Sequence, residues 1–288
     1  MREPSPPRPL SRKGRGGVSR QLSFSVIAGT LVGCTRTATV PVRPAADVRV
    51  ATHAPVLFAP PLALATPEDA VVRVVGPELT CSGTLVEDDL VLTAHHCLVK
   101  RGPNGELTGE TIRADEMQIE LGGDYLAWGT VRVRAIVTPP CGATGGSGDL
   151  AILVLERKLV GMSTMTVRLD APPRMGEPLD PIGFGRCALS DDGVHRHARP
   201  GGIIVGTSSE TLVLRASICP GDSGGPIVAR GTHEVVAVVS QSAMDGDPRT
   251  VGPTIGARLD AYRAVFATAR QVADGAALSE LPPLGCAP

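Results

Sequence analysis

From Ala70 to Ser240 the chain repeats one pattern, a short run rich in Val, Ile and Leu followed by a break at Gly, Pro or Asp. Nine such runs stand out: Ala70–Val75, Leu90–Thr93, Met117–Leu121, Val131–Val137, Ala151–Leu155, Ile203–Val205, Thr211–Leu214, Pro226–Val228 and Val235–Ser240. Branched side chains fit a pleated surface, and the intervening Gly and Pro end each strand. No amphipathic helix separates consecutive runs. That excludes the strand–helix–strand units of a parallel sheet and leaves antiparallel sandwiches or barrels. The exception is Ala257–Val272, where Leu259, Tyr262, Val265 and Phe266 recur at helical spacing. This segment reads as one C-terminal helix packed on the β domain. At 288 residues the chain has room for one large domain, or two small ones with extensions.

The first 67 residues follow different rules. Arg12, Lys13, Arg15 and Arg20 precede an uncharged, mostly apolar stretch from Leu22 to Gly33. Twelve residues cannot cross a bilayer core, which needs about 20 in a helix, but they suit the apolar region of an export signal. The positive charge is confined to this segment: without residues 1–33 the chain carries 22 basic against 28 acidic residues. A nucleic-acid binder driven by bulk basicity is therefore excluded. Leu31-Val32-Gly33-Cys34 resembles the bacterial lipobox. The resemblance implies cleavage before Cys34, acylation of its thiol and acylation of the new N-terminus. An ordinary signal peptide cut nearby is the alternative. Thr35 is not the aspartate that retains some lipoproteins at the inner membrane, so the outer membrane or periplasm is the expected address, with secretion the other outcome. Residues 34–67 hold repeated prolines and read as an extended tether, although Val56-Leu57-Phe58 and Leu62-Ala63-Leu64 could instead pack on the domain.

Three separated segments carry the chemistry: Val91-Leu92-Thr93-Ala94-His95-His96-Cys97, Ser147-Gly148-Asp149-Leu150-Ala151-Ile152-Leu153, and Cys219-Pro220-Gly221-Asp222-Ser223-Gly224-Gly225-Pro226. A serine hydroxyl is a weak nucleophile until an imidazole takes its proton. The imidazole in turn needs a carboxylate to fix its tautomer and stabilise its charged form. Glycines around Ser223 let the backbone expose the hydroxyl and aim N–H groups at an oxyanion. A Gly-x-Ser-x-Gly pattern also suggests an α/β-hydrolase, but that fold runs serine, acid, histidine in chain order, with helices after the serine. Here the order is His96, Asp149, Ser223, which excludes it.

These segments resemble the Leu-Thr-Ala-x-His-Cys, Asp-(Ile/Leu)-Ala-(Leu/Ile)-Leu and Gly-Asp-Ser-Gly-Gly-Pro motifs of the trypsin/chymotrypsin-like serine peptidases. Further similarity lies at Cys81-Ser82-Gly83-Thr84-Leu85, Gly183-Phe184-Gly185 and Gly252–Tyr262, so it spans roughly residues 68–270. The resemblance implies an all-β fold of two six-stranded antiparallel barrels packed face to face with a C-terminal helix. It places a peptidase domain at 68–272 and leaves a C-terminal tail (273–288), after the signal peptide (1–33) and Pro-rich tether (34–67) read above. It makes His96 the general base rather than His95, Asp149 the orienting carboxylate and Ser223 the nucleophile. The N–H groups of Gly221 and Ser223 would form the oxyanion hole. It also implies a polypeptide substrate, no cofactor and a monomer, while the lipid on Cys34 implied by the lipobox would add a membrane contact, with no nucleic acid as partner.

The resemblance sorts the seven cysteines as well. Cys81 and Cys97 match the pair that staples the histidine loop. Cys219 matches a pocket cysteine whose usual partner is absent, and Cys187 is the expected substitute. Cys141 and Cys286 are left to tie the first barrel to the tail, and Cys34 to carry lipid. Spacing alone settles none of these pairings. No Cys-x-x-Cys or paired-His spacing suggests a metal site. Ser217, six residues before Ser223, would floor the specificity pocket, with Ser240-Gln241-Ser242 as its wall. A neutral floor and Ser242 in place of glycine suggest small or medium apolar side chains before the scissile bond. The family's activating Ile-Val-Gly-Gly N-terminus is missing. Asp222, its usual partner, then needs an arginine or histidine for a site formed without processing. A zymogen, or a binding module without turnover, is the alternative function.

Overall fold

The structure, a computed structural model, describes residues 66–191, 193–199 and 201–286. Cys34, the segment 1–33 and most of the 34–67 stretch lie outside the described residues. The first eight strands are β1 (Val71–Val75), β2 (Thr80–Glu87), β3 (Leu90–Thr93), β4 (Val99–Arg101), β5 (Leu107–Thr111), β6 (Gln118–Leu121), β7 (Gly129–Val137) and β8 (Ala151–Leu155). Six of them close into a barrel in the order β1-β2-β3-β8-β7-β6, and β4 with β5 forms a separate two-stranded ribbon. Period-two alternation sets the faces: on β7 Val131 and Val133 point into the core while Arg132 and Arg134 point out. All five residues of β8 are buried.

The second half contains β9 (Leu179–Gly183), β10 (His197–Ala198), β11 (Ile204–Thr207), β12 (Thr211–Ala216), β13 (Pro226–Ala229), β14 (Val235–Ser242) and β15 (Gly252–Arg258). They form one sheet in the order β10-β9-β13-β14-β15-β12-β11. It has seven strands where six are expected, because the two-residue β10 joins its edge. This half-barrel curls toward closure. An antiparallel bridge joins Pro178 and Ile203, flanked by Leu179 N–H to Gly202 C=O at 2.9 Å and Ile204 N–H to Glu177 C=O at 3.1 Å. Its own core gathers Leu179, Leu212, Leu214, Ile227 and Val239. The fold is thus all-β and chymotrypsin-like, with one closed barrel, one half-barrel and one short C-terminal helix.

That helix, α1 (Arg263–Ala273), starts later than its periodicity suggests. Ala257 and Arg258 finish β15, and Asp260–Tyr262 make a 3-10 turn. Val265, Phe266, Ala269 and Val272 are buried on one face, and the helix packs on β8 and β7 of the first barrel. Arg270 locks it there. Its guanidinium donates to Asp89 at 2.7 and 3.1 Å, to Glu87 at 2.7 Å and to Asp274 at 3.1 Å. Beyond the helix, Cys286 is bonded to Cys141, closing a covalent loop across 145 positions. In the chain-entropy account a loop of that size restrains the unfolded chain by about 5 kcal/mol.

The Arg270 guanidinium beside Asp89 holds that buried carboxyl below its ordinary value of 3.8. A carboxylate with a depressed folded pKa contributes stability above its unfolded pKa and loses it as pH falls through the folded one. Arg270→Ala is therefore expected to lower the unfolding free energy at pH 7 by roughly 1.5–3 kcal/mol. The gap from the parent should narrow as the pH drops below 3.8, as read by urea denaturation across that range.

Candidate active site

Strand register brings the first two candidate residues together. Thr93, the last residue of β3, pairs with Ala151, the first residue of β8. The turn that follows β3 and the loop that precedes β8 therefore emerge side by side. His96 lies in that turn, a 3-10 segment over His95–Leu98, and Asp149 lies in that loop. Cys81 on β2 is bonded to Cys97, with Cα atoms 6.2 Å apart, which staples the turn to the barrel wall.

Asp149 is fully buried, and its oxygens are well supplied with donors. Oδ1 accepts the His96 backbone N–H at 2.8 Å. Oδ2 lies 2.7 Å from His96 Nδ1 and accepts the Ser240 hydroxyl at 2.5 Å. A carboxylate on Nδ1 keeps the proton there and leaves Nε2 with its lone pair, the tautomer a general base needs. The Ser240 hydroxyl in turn accepts the Gly146 N–H at 2.8 Å. Its position follows from an irregularity in the β14–β15 register between Val239 and Gln241. Such a bulge re-aims one side chain off the regular alternation. Ser240, expected as pocket wall, thus spends its hydroxyl on Asp149 as well.

His95 faces another way. Its Nδ1 donates to the Cys141 carbonyl at 2.9 Å, and burial pushes its ring below the usual histidine value, partly offset by that carbonyl. Cys141 is bonded to Cys286 of the tail.

Ser223 sits between β12 and β13, in a loop tied to both halves of the fold. Ser82 on β2 donates its backbone N–H to the Ser223 carbonyl at 2.8 Å. The Ser82 hydroxyl donates to the Gly221 carbonyl at 2.7 Å and accepts the Phe184 N–H at 2.8 Å. Two further bonds orient the peptides that carry the Gly221 and Ser223 N–H groups. Arg186 N–H binds the Pro220 carbonyl at 3.0 Å, and Gly225 N–H binds the Asp222 carbonyl at 3.0 Å. In a trans peptide the N–H opposes the carbonyl, so both bonds set the direction of the Gly221 and Ser223 N–H groups. Among the described residues neither N–H has an intramolecular acceptor. Gly224, at φ +80°, packs against Thr93 and Ser82, where a Cβ would collide with the first barrel.

Between these two donors lies Asp222, 1% exposed. Arg199, just past β10, grips it twice: Nε to Oδ2 at 2.8 Å and Nη2 to Oδ1 at 3.2 Å. Gly185 N–H donates to Oδ1 at 2.8 Å and Cys219 N–H to Oδ2 at 2.9 Å. The same Nη2 group also donates to the Gly185 carbonyl. Burial pushes the Asp222 carboxyl up, and Arg199 with the two N–H donors pulls it back. Gly185 has to be glycine, since a Cβ there would lie on the carboxyl itself. Cys187 is bonded to Cys219, bracing the same loop with Cα atoms 5.0 Å apart.

His96 and Ser223 line one cavity of about 590 Å³, together with Ile218, Val239, Met244, Pro253 and Ile255. Ser242 is on its wall, bonded to buried Thr254 at 2.9 Å. Ser217, expected as the floor, is not among its lining residues: its hydroxyl donates to the Pro248 carbonyl, and the neighbouring Ile218 lines the cavity. Cys81, His96 and Cys97 cluster with metal-like spacing, but both sulfurs are spent in the disulfide and His96 Nδ1 on Asp149. Arg199 was not foreseeable from its own surroundings. The only sequence signal was the need of Asp222 for a cation.

A barrel and half-barrel meeting at a buried His–Asp pair and a glycine-flanked serine define the chymotrypsin-like class of serine peptidases. The chain belongs to the trypsin family, whose pattern, described as Trypsin, matches residues 65–266. It is 29% identical over 170 residues to "Serine protease SP24D" of Anopheles gambiae, a match covering 53% of this chain and 59% of that protein. Among solved structures, a Glu endopeptidase is similar with a TM-score of 0.57 at 15% identity, over 73% of this chain and 93% of that one. Neuropsin, a serine protease of mouse brain, is similar with a TM-score of 0.51 at 18% identity, over 70% and 95%. Both likenesses speak to the fold.

Removing one member of a buried pair strands the other. Arg199→Met is expected to cost roughly 3–5 kcal/mol, because Asp222 is left charged and buried. Arg199→Met with Asp222→Asn should recover a large part of that loss, as measured by chemical denaturation of the three proteins.

Proposed function

We propose that the chain is an exported serine endopeptidase that cleaves peptide bonds through Ser223, His96 and Asp149. The observation that carries this reading is one cleft lined by Ser223 and by His96, which is paired with Asp149, beside the Gly221 and Ser223 N–H groups that have no acceptor among the described residues. His96 Nε2 takes the proton from the Ser223 hydroxyl as the oxygen attacks the substrate carbonyl carbon. Asp149, aligned by three donors, stabilises the imidazolium that forms. The Gly221 and Ser223 N–H groups receive the negative oxygen of the tetrahedral intermediate. His96 then gives its proton to the departing amine, and water hydrolyses the acyl-enzyme by the same steps in reverse. No cofactor enters this sequence.

The Asp222–Arg199 pair supports a site formed without processing: the cation that a freed N-terminus would bring is supplied by a side chain of the same fold. Ile218, Val239, Pro253 and Ile255 favour a small or medium apolar side chain before the scissile bond. The lipobox-like Leu31–Cys34 supports a bacterial envelope protein, with residues 1–33 removed, a lipid on Cys34, and residues 34–67 as a tether to the 68–272 domain and its 273–288 tail. Three disulfides among the described cysteines suit an oxidising compartment outside the cytosol.

Fluorophosphonate should label the parent chain and fail on Ser223→Ala, with labelling sharply slowed in His96→Ala. Asp149→Asn should reduce kcat by about 10⁴-fold. A folded parent that takes no label would overturn the endopeptidase reading in favour of a zymogen or a binding module. Peptide-library cleavage faster after Lys or Arg than after apolar residues would overturn the pocket assignment.

A further inference from the structure

The chain is poor in aromatic residues, with one Trp, two Tyr and four Phe. Among the described residues, Phe184, Tyr262 and Phe266 are buried, as core packing demands. Trp128 and Tyr125 are not. They lie in the hairpin loop between β6 and β7, 52% and 61% exposed, with Leu126 between them at 82%. Putting the largest apolar side chains of an aromatic-poor protein on one exposed loop needs a reason outside the core.

The loop is held, not loose. Trp128 N–H bonds the Leu121 carbonyl at 2.8 Å, and the Trp128 ring lies over Gly122. Tyr125 stacks on His195 with ring centroids 4.7 Å apart. The loop also stands where the chain comes into the domain. The Arg196 guanidinium binds Asp69 at 2.7 Å and the Glu68 carbonyl at 2.9 Å, and its other amino group pairs with Asp124 at 2.8 Å. The Arg196 backbone N–H bonds the Asp124 carbonyl at 3.1 Å. One half-buried arginine thus joins residues 68–69 to the residue just before Tyr125.

We propose that Tyr125, Leu126 and Trp128 form a membrane-contact loop that seats the domain on the lipid surface to which Cys34 anchors it. This rests on the lipid anchor proposed above. Tyr and Trp settle at the headgroup level of a bilayer, and a neighbouring Leu reaches the acyl boundary. A lipid on Cys34 by itself does not choose which side of the domain meets the membrane. A contact loop beside the tether's attachment point turns the same side to the membrane each time. The adjacent charges, Asp124 and Arg196, are paired with each other, so the contact is apolar and should depend little on anionic lipid.

Trp128 is the chain's single tryptophan and reports on its own loop. The full chain, exported from a bacterial host and purified in detergent, is reconstituted into phosphatidylethanolamine–phosphatidylglycerol vesicles with or without brominated acyl chains. Bromolipid is expected to quench Trp128 emission by half or more and iodide only weakly. Tyr125→Ser with Leu126→Ser should reverse that order while leaving fluorophosphonate labelling unchanged. Mass spectrometry of the Cys34 peptide reads the anchor separately. A lipidated chain whose Trp128 is open to iodide and blind to bromolipid overturns the loop proposal and leaves the anchor standing. Trp128 shielded from iodide without vesicles overturns it in favour of cover by residues 56–64 or a second copy. A Cys34 peptide without lipid overturns the anchor, and the loop proposal with it.

Discussion

The Asp222–Arg199 pair is the constraint on which the rest of the cleft depends. A carboxylate this deeply buried is tolerable only when every oxygen lone pair has a donor, and here a two-pronged guanidinium and two backbone N–H groups supply them. Asp222 stands between Gly221 and Ser223, whose N–H groups have no acceptor among the described residues. Fixing its carboxyl at one end and its carbonyl at the other leaves those peptides one orientation. The nearby sequence follows from the same demand: Gly185 lets its own N–H approach the carboxyl, and Cys187 clamps to Cys219 so that the loop cannot swing away.

The coupling between the two halves is equally specific. Ser82 belongs to the first barrel, yet its hydroxyl and N–H hold the Gly221 and Ser223 carbonyls of the second. Ser240 belongs to the second half, yet its hydroxyl holds Asp149 of the first. Each half therefore finishes the other's half of the site. Neither the buried His–Asp pair nor the serine loop is complete within a single barrel.

Much of this was legible in the sequence, for physical reasons that differ from place to place. Strands with branched, alternating residues, such as Val131–Val137 and Ala151–Leu155, announce themselves because burial on a pleat selects those side chains. Leu107–Thr111 does not: it pairs only with β4 in an exposed ribbon and carries no apolar face. Gly252–Arg258 is also obscured, since Pro253, Gly252 and Gly256 disguise a strand whose shape is set by neighbours across the sheet. His96 rather than His95 stands at the motif position, and its Nδ1 lies 2.7 Å from Asp149. The role of Ser240 needed the bulge at Val239–Gln241, which no local pattern encodes. Arg199 lies in a polar stretch from Leu189 to Pro200 and is recognisable only from the far side of the contact.

The bond between Cys141 and Cys286 has a consequence beyond stability. It runs from the loop that holds His95 and precedes Asp149 to the last described stretch of chain, so the whole half-barrel and α1 lie within one covalent ring. A single cut in any exposed loop of that ring, such as the one bearing Met244 and Arg249, opens the ring but releases no fragment. Both new ends stay attached to the same body. A chain cut once inside this ring thus still remains one molecule.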